Sequence, residues 1–132
     1  MTGKTRILIV EDDMPLALLM VRVLAQAGCD VQFARNGKKG MEMAQEQKFD
    51  LIALDVQLPD TFEMCRDLKQ RHISRRTPVI FISASSRQED MAEAKKQGAV
   101  DCITKPFDVT DFMYKVGQVC RPATPFLTTF KH

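Results

Sequence analysis

Side chains that could bind a metal ion or react stand directly after apolar runs in this sequence. Glu11 and Asp12 follow RILIV, Asp55 follows LIAL, Ser83 follows PVIFI, and Lys105 follows DCIT. Crowded carboxylates repel each other, and Mg²⁺, a hard cation held by carboxylates, water and phosphate oxygens, relieves that repulsion. A carboxylate can also attack phosphorus to give an aspartyl phosphate, while an ammonium and a hydroxyl stabilise the phosphoryl oxygens. These residue types predict Mg²⁺-dependent phosphoryl chemistry if the fold brings them together.

The elements that must position these side chains alternate between strand and helix. The predicted strands are 6–10, 31–34, 49–54, 78–82 and 100–103. The predicted helices run from Pro15, capped by Asp13, to just before Gly28, and then over 38–47, 61–71, 88–97 and 108–120, with a turn at Asn36-Gly37. Such alternation indicates a parallel sheet with helices on both faces, joined by right-handed crossovers.

Four predicted strand ends carry the candidate side chains. In an open parallel sheet, ligands bind beyond the carboxyl ends of the strands. Each signal alone is weak, because an acidic turn, an Asp or Ser after a strand, and a Lys-Pro pair are more often structural. Their agreement at the first, third, fourth and fifth strand ends favours a functional site.

Composition limits the class of protein. The chain has 132 residues and a formal net charge of +2, which fits one domain and gives no argument for nucleic acid binding. Its four cysteines lack CxxC spacing and it has two histidines, so we expect no zinc site and reduced cysteines of a cytoplasmic protein. We see no signal peptide and no apolar run near the roughly 18 residues of a membrane span.

The domain is expected to cover residues 1–120, with 121–132 a tail or the start of a linker and no helix-turn-helix after it. A basic cluster is typical of a solvated helix end, with a partner-docking patch as the alternative. Its members are Arg66, Lys69, Arg71, Arg75 and Arg76.

The segments ILIVEDD, DLIALDVQLPD, PVIFISA and DCITKPF resemble the receiver domain of bacterial response regulators. The resemblance extends from about residue 6 to residue 120. It implies an α/β, flavodoxin-like, doubly wound fold with a five-stranded parallel sheet of order 2-1-3-4-5 and five helices. It also implies a phosphoacceptor signalling domain rather than an enzyme. The partner would be a sensor histidine kinase or phosphotransfer protein; a homodimer or downstream effector domain stays open, and no direct contact with nucleic acid or membrane is expected.

The resemblance assigns the metal ligands. Asp12 would bind Mg²⁺ directly, Glu11 directly or through water, and Asp55 and the backbone carbonyl of Gln57 would complete the protein ligands. Asp13, just past the acidic pair, is interpreted as a helix cap and not as a ligand.

The resemblance also assigns the phosphoryl contacts. Asp55 would take the group from a kinase phosphohistidine, Ser83 would hydrogen-bond it, and Lys105 would pair with one of its oxygens. The peptide before Pro106 is cis in this family, which would help aim Lys105. Ser85, like Gln57, would border the water that removes the phosphoryl group.

The sequence departs from the family pattern in two places. Leu58-Pro59-Asp60-Thr61 is about two residues short of the usual loop and lacks its glycine, which leaves the start of the third helix open. Cys102 stands where the family usually has Tyr or Phe, whose ring reports phosphorylation. Because a thiol is too small for that task, either other elements carry the signal or the coupling is weak.

Three other functions compete with this interpretation. A pseudo-receiver would bind partners without being phosphorylated. An aspartate-nucleophile phosphatase would place a DxD motif after the first strand, where this chain has Glu11-Asp12-Asp13. A flavin-binding protein would need a Ser/Thr/Gly-rich phosphate loop there, and the three acids would repel a phosphate.

Overall fold

Strands and helices alternate along residues 4–84 and 88–120, the part of the chain that the computed structural model describes. The strands are β1 (Arg6–Val10), β2 (Asp30–Ala34), β3 (Leu51–Asp55), β4 (Val79–Ser83) and β5 (Asp101–Thr104). The helices are α1 (Met14–Gln26), α2 (Gly37–Glu46), α3 (Thr61–Gln70), α4 (Gln88–Lys96) and α5 (Val109–Val119). All strands pair in parallel in the order β2-β1-β3-β4-β5, which confirms the predicted fold class and topology.

Two apolar layers hold the sheet between the helices. Successive side chains of a strand point to opposite faces, so β1 sends Leu8 and Val10 into one layer and Ile7 and Ile9 into the other. Helices α2, α3 and α4 cover the first face and α1 and α5 the second. The central strands carry nearly continuous apolar runs because both of their faces are buried.

The ends of α1 follow from local sequence, as predicted. Asp13 caps it by accepting a hydrogen bond from the Leu16 amide at 3.2 Å, and Pro15 lies in its first turn. Gly28 and Gly98, which follow α1 and α4, have φ angles of 93° and 103°, a left-handed backbone that glycine adopts without strain.

The predicted turn at Asn36-Gly37 is wrong in detail. Asn36 is the N-cap of α2 and accepts a hydrogen bond from the Lys39 amide at 2.8 Å, so Gly37 is already helical. The start of α3, left open by the short loop, is at Thr61. The Thr61 hydroxyl is buried and donates to the Leu58 carbonyl at 3.0 Å, which closes the loop.

The predicted tail 121–132 and Ser85 lie outside the described residues. Among the helices that are described, none combines the length and the apolar composition needed to cross a bilayer.

Candidate functional site

The carboxyl ends of β1, β3, β4 and β5 bring the predicted side chains to one edge of the sheet. Lys105, directly after β5, places its Nζ 3.0 Å from Asp55 Oδ2 and 2.9 Å from Glu11 Oε1. Strand pairing explains this meeting, because β1 and β4 flank β3 and β5 lies beside β4. The ammonium therefore bridges two carboxylates that are 44 residues apart in sequence.

Three carboxylates form an oxygen-only donor set. Glu11, Asp12 and Asp55 each offer an oxygen, and these oxygens lie within 4.8 Å of one another. Glu11 and Asp55 are 0% and 1% exposed, whereas Asp12 is exposed to solvent. Hard carboxylate oxygens with one open side fit a cation such as Mg²⁺, which keeps several of its waters.

Burial sets the protonation of the pair. Desolvation, followed by the hydrogen bond and charge of Asp55, raises the pKa of Glu11 to about 7, although Lys105 opposes this shift. For Asp55 burial alone would raise the pKa, but hydrogen bonds with Glu11, the Gln57 amide and Lys105 outweigh it and hold the pKa below its usual value. Asp55 is therefore the carboxylate that stays ionised at neutral pH.

The remaining predicted residues border this group. Gln57 lies in the exposed loop after β3, and its amide donates to Asp55 Oδ1 at 2.9 Å. Ser83 is the partly buried last residue of β4, and its carbonyl accepts the Lys105 amide at 2.7 Å. The Lys105-Pro106 peptide is cis, as the resemblance implied.

Asp13 belongs to the helix rather than to the metal cluster. Besides capping α1, its amide donates to Glu11 Oε2 at 3.1 Å. This contact fixes the Glu11 carboxylate from the backbone, a role that residue spacing alone does not reveal.

Asp60, in the loop between β3 and α3, has a role that the sequence pattern did not predict. Its carboxylate accepts hydrogen bonds from the amides of Gly37 and Lys38, both at 2.9 Å. An Asp before a helix is a familiar signal for a cap of that same helix, so nothing local pointed to a contact with α2.

Cys102 leaves open space next to the site. It is half-buried on β5 and lines a cavity of about 210 Å³ together with Phe62, Phe81 and Ser83. The two rings pack edge to face with centroids 5.6 Å apart. The cavity beside Cys102 is thus bounded by two aromatic rings.

Comparison with known proteins identifies the family. Residues 7–117 match the model of the response regulator receiver domain. The chain belongs to this family. Two relatives are the response regulator ArlR of Staphylococcus saprophyticus, 37% identical over 89% of this chain, and the DNA-binding dual master transcriptional regulator RpaA of Synechocystis, 36% identical over 96%. The receiver domain covers 53% and 54% of their lengths, so it spans about half of the curated relatives it matches.

Solved receiver structures share the fold. The chemotaxis response regulator CheY4 of Vibrio cholerae superposes with a TM-score of 0.85 at 25% identity, over 89% of this chain and 100% of that one. A receiver domain of a Pseudomonas aeruginosa sensor histidine kinase, solved with a magnesium ion in its active site cleft, gives 0.79 at 25% identity over 89% and 98%. The expectation of no nucleic acid partner gains no support, because one relative is named a DNA-binding regulator.

Proposed function

We propose that this receiver domain accepts a phosphoryl group on Asp55 from the phosphohistidine of a sensor kinase or phosphotransfer protein, in a Mg²⁺-dependent reaction that changes its conformation. One observation carries the proposal. A buried, ionised Asp55 lies 3.0 Å from the Lys105 ammonium and within 4.8 Å of the Glu11 and Asp12 oxygens, in a chain of the receiver family.

Each side chain has a task in the transfer. A carboxylate oxygen of Asp55 attacks phosphorus, the bond from phosphorus to the histidine nitrogen breaks, and that nitrogen keeps the electron pair. Lys105 keeps its proton, because its two carboxylate neighbours raise its pKa against the effect of burial. It can therefore compensate the negative charge of the phosphoryl oxygens, and the Ser83 hydroxyl can hydrogen-bond one of them.

Glu11, Asp12, Asp55 and the Gln57 carbonyl would hold the metal ion. When bound, Mg²⁺ supplies positive charge for the carboxylates and for the transferring phosphoryl oxygens. Support comes from the oxygen-only donor set and from the kinase receiver domain solved with magnesium in its cleft. Three carboxyl groups, those of Glu11, Asp12 and Asp55, share the single ammonium of Lys105, which gives the site a reason to take up a dication.

The domain acts on itself and on its phosphodonor, without turnover of other substrates, and we place it in the cytoplasm. Four free cysteines among the described residues agree with a reducing compartment. We also propose that the domain dimerises or acts on an effector domain. The chain spans about half the length of the two relatives named above, so those proteins are long enough to hold a second domain.

Intact-mass spectrometry after treatment with acetyl phosphate tests the proposal. Wild type should gain one phosphoryl group with Mg²⁺ and lose this gain with excess chelator, while Asp55→Asn gains none. A wild type that forms no adduct with acetyl phosphate or with beryllium fluoride would indicate a pseudo-receiver instead. Sustained hydrolysis of small phosphomonoesters would indicate a phosphatase.

A further inference from the structure

Asp60 joins the loop after β3 to the first turn of α2. Its Oδ1 accepts the Gly37 amide and its Oδ2 the Lys38 amide, each at 2.9 Å. The first amides of a helix have no partner within the helix, and the positive end of its dipole favours a carboxylate. Within the described residues, the carboxylate makes no hydrogen bond to its own helix α3, although Asp60 is the N-cap there. Its side chain therefore serves the neighbouring helix.

We propose that Asp60 is a positioning residue that fixes the loop bearing Gln57, and thereby sets the affinity of the acidic site for Mg²⁺. The inference rests on the proposed function, because it concerns the same site. The connection between β3 and α3 is only residues 56–60. The Gln57 amide, bonded to Asp55 Oδ1 at 2.9 Å, holds its front end. Asp60 holds its far end against α2.

Gly37 makes this close approach possible. A Cβ atom at position 37 would lie 2.6 Å from Asp60 Oδ1 and 2.9 Å from the Asp60 backbone oxygen. Real Cβ atoms do not come this near to other atoms, so only glycine lets α2 and the loop meet in this way. The short loop and Gly37 therefore take part in the same contact. The loop brings the Asp60 carboxylate to α2, and the glycine leaves room for it.

Loss of the hydrogen bonds from Asp60 to α2 should weaken Mg²⁺ binding rather than the phosphoryl transfer step itself. Without the Asp60 carboxylate, the loop keeps the hydrogen bonds of the Gln57 amide and the Thr61 hydroxyl but loses its attachment to α2, so the Gln57 carbonyl is positioned less firmly. Residues that orient metal ligands from behind commonly change metal affinity by about 10–100-fold when they are replaced. Since Gln57 would be one ligand among several, we expect the low end, about tenfold weaker binding.

The test measures Mg²⁺ affinity by isothermal titration calorimetry in Asp60→Ala, with Asn36→Ala as the matched control. Asn36 caps the same helix through the Lys39 amide at 2.8 Å, and in the described part of the chain its side chain makes no hydrogen bond to the loop. Both variants lose a cap of α2 and should lose similar stability in urea. Only Asp60→Ala should weaken Mg²⁺ binding about tenfold, and its phosphorylation rate should recover at saturating Mg²⁺.

Equal Mg²⁺ affinities in wild type, Asp60→Ala and Asn36→Ala would overturn the inference. So would a rate loss in Asp60→Ala that saturating Mg²⁺ does not restore. If Asp60→Ala does not fold, Asp60→Asn, which keeps one acceptor oxygen, takes its place with the same expected direction. Failure of wild type to bind Mg²⁺ at all would instead contradict the proposed function.

Discussion

Replacing Lys105 by Met removes the cation between two buried carboxylates while keeping most of the apolar side chain. Glu11 and Asp55 have 0% and 2% of their side chains exposed, and Lys105 has 21%. Breaking a buried ion pair by removing one partner costs about 3–5 kcal/mol because the other charge is left uncompensated. Since Lys105 is partly exposed, we expect the low end, about 3 kcal/mol near pH 8, or roughly 10 °C in Tm for a chain of this size.

The loss should depend on pH with a definite sign. Glu11 has a pKa raised to about 7, so its folded state binds more protons than its unfolded state between about pH 4.5 and 7. Stability from this group is present at low pH and is lost as the pH rises through the folded pKa. Lys105→Met should make stability fall more steeply as the pH rises, because Lys105 opposes the rise in the pKa of Glu11. The destabilisation caused by Lys105→Met should be smaller near pH 5.5, where Glu11 is neutral.

Urea unfolding followed by far-ultraviolet circular dichroism measures the effect, with Lys115→Met as the control. Lys115 pairs with Asp101 at 3.1 Å, but the side chains are 30% and 34% exposed, so its loss should cost no more than about 1 kcal/mol. Excess Mg²⁺ should narrow the gap between Lys105→Met and wild type, because the folded variant, without the competing ammonium, should bind the ion more tightly. Equal losses in the two variants, or a larger loss at low pH, would refute the electrostatic account.

Two further substitutions test the packing around the site. Cys102→Leu should raise the free energy of unfolding by roughly 1 kcal/mol, because the added methyl groups enter the cavity of about 210 Å³; an unchanged or lower urea midpoint would contradict this. Gly40→Ala should cost about 1 kcal/mol despite the better helix propensity of Ala, since its Cβ would lie 2.8 Å from Val10 Cγ2 and 3.1 Å from Met64 Cε. A more stable Gly40→Ala in the same assay would mean that Val10 yields easily.

The sequence predicts that the site residues lie close together in the fold. Asp55, Ser83 and Lys105 each follow a recognisable strand, and parallel strands place their carboxyl ends at one edge of the sheet. The Asp13 cap was also predictable from local sequence. An Asp at this position, three residues before Leu16, can accept a hydrogen bond from that residue's amide with its side-chain oxygen.

Burial and long-range contacts could not be predicted in the same way. Glu11 and Asp12 are adjacent acids, yet the first is 0% exposed and the second lies in solvent. Asp60 caps α2 instead of α3 because folding brings it next to Gly37, which lies 23 residues away in the sequence. At Asn36-Gly37 the signals for a turn and for a helix cap fall on the same residues, so the pattern did not separate them.

The location of the phosphoryl group tests the central claim most directly. Borohydride reduces an aspartyl phosphate to homoserine, and tandem mass spectrometry of the digested protein then identifies the modified position. After treatment with acetyl phosphate and Mg²⁺, homoserine should appear at position 55 in wild type and nowhere in Asp55→Asn. Reduction at Asp12, or a stable phosphate on Ser83 without homoserine at position 55, would contradict the account.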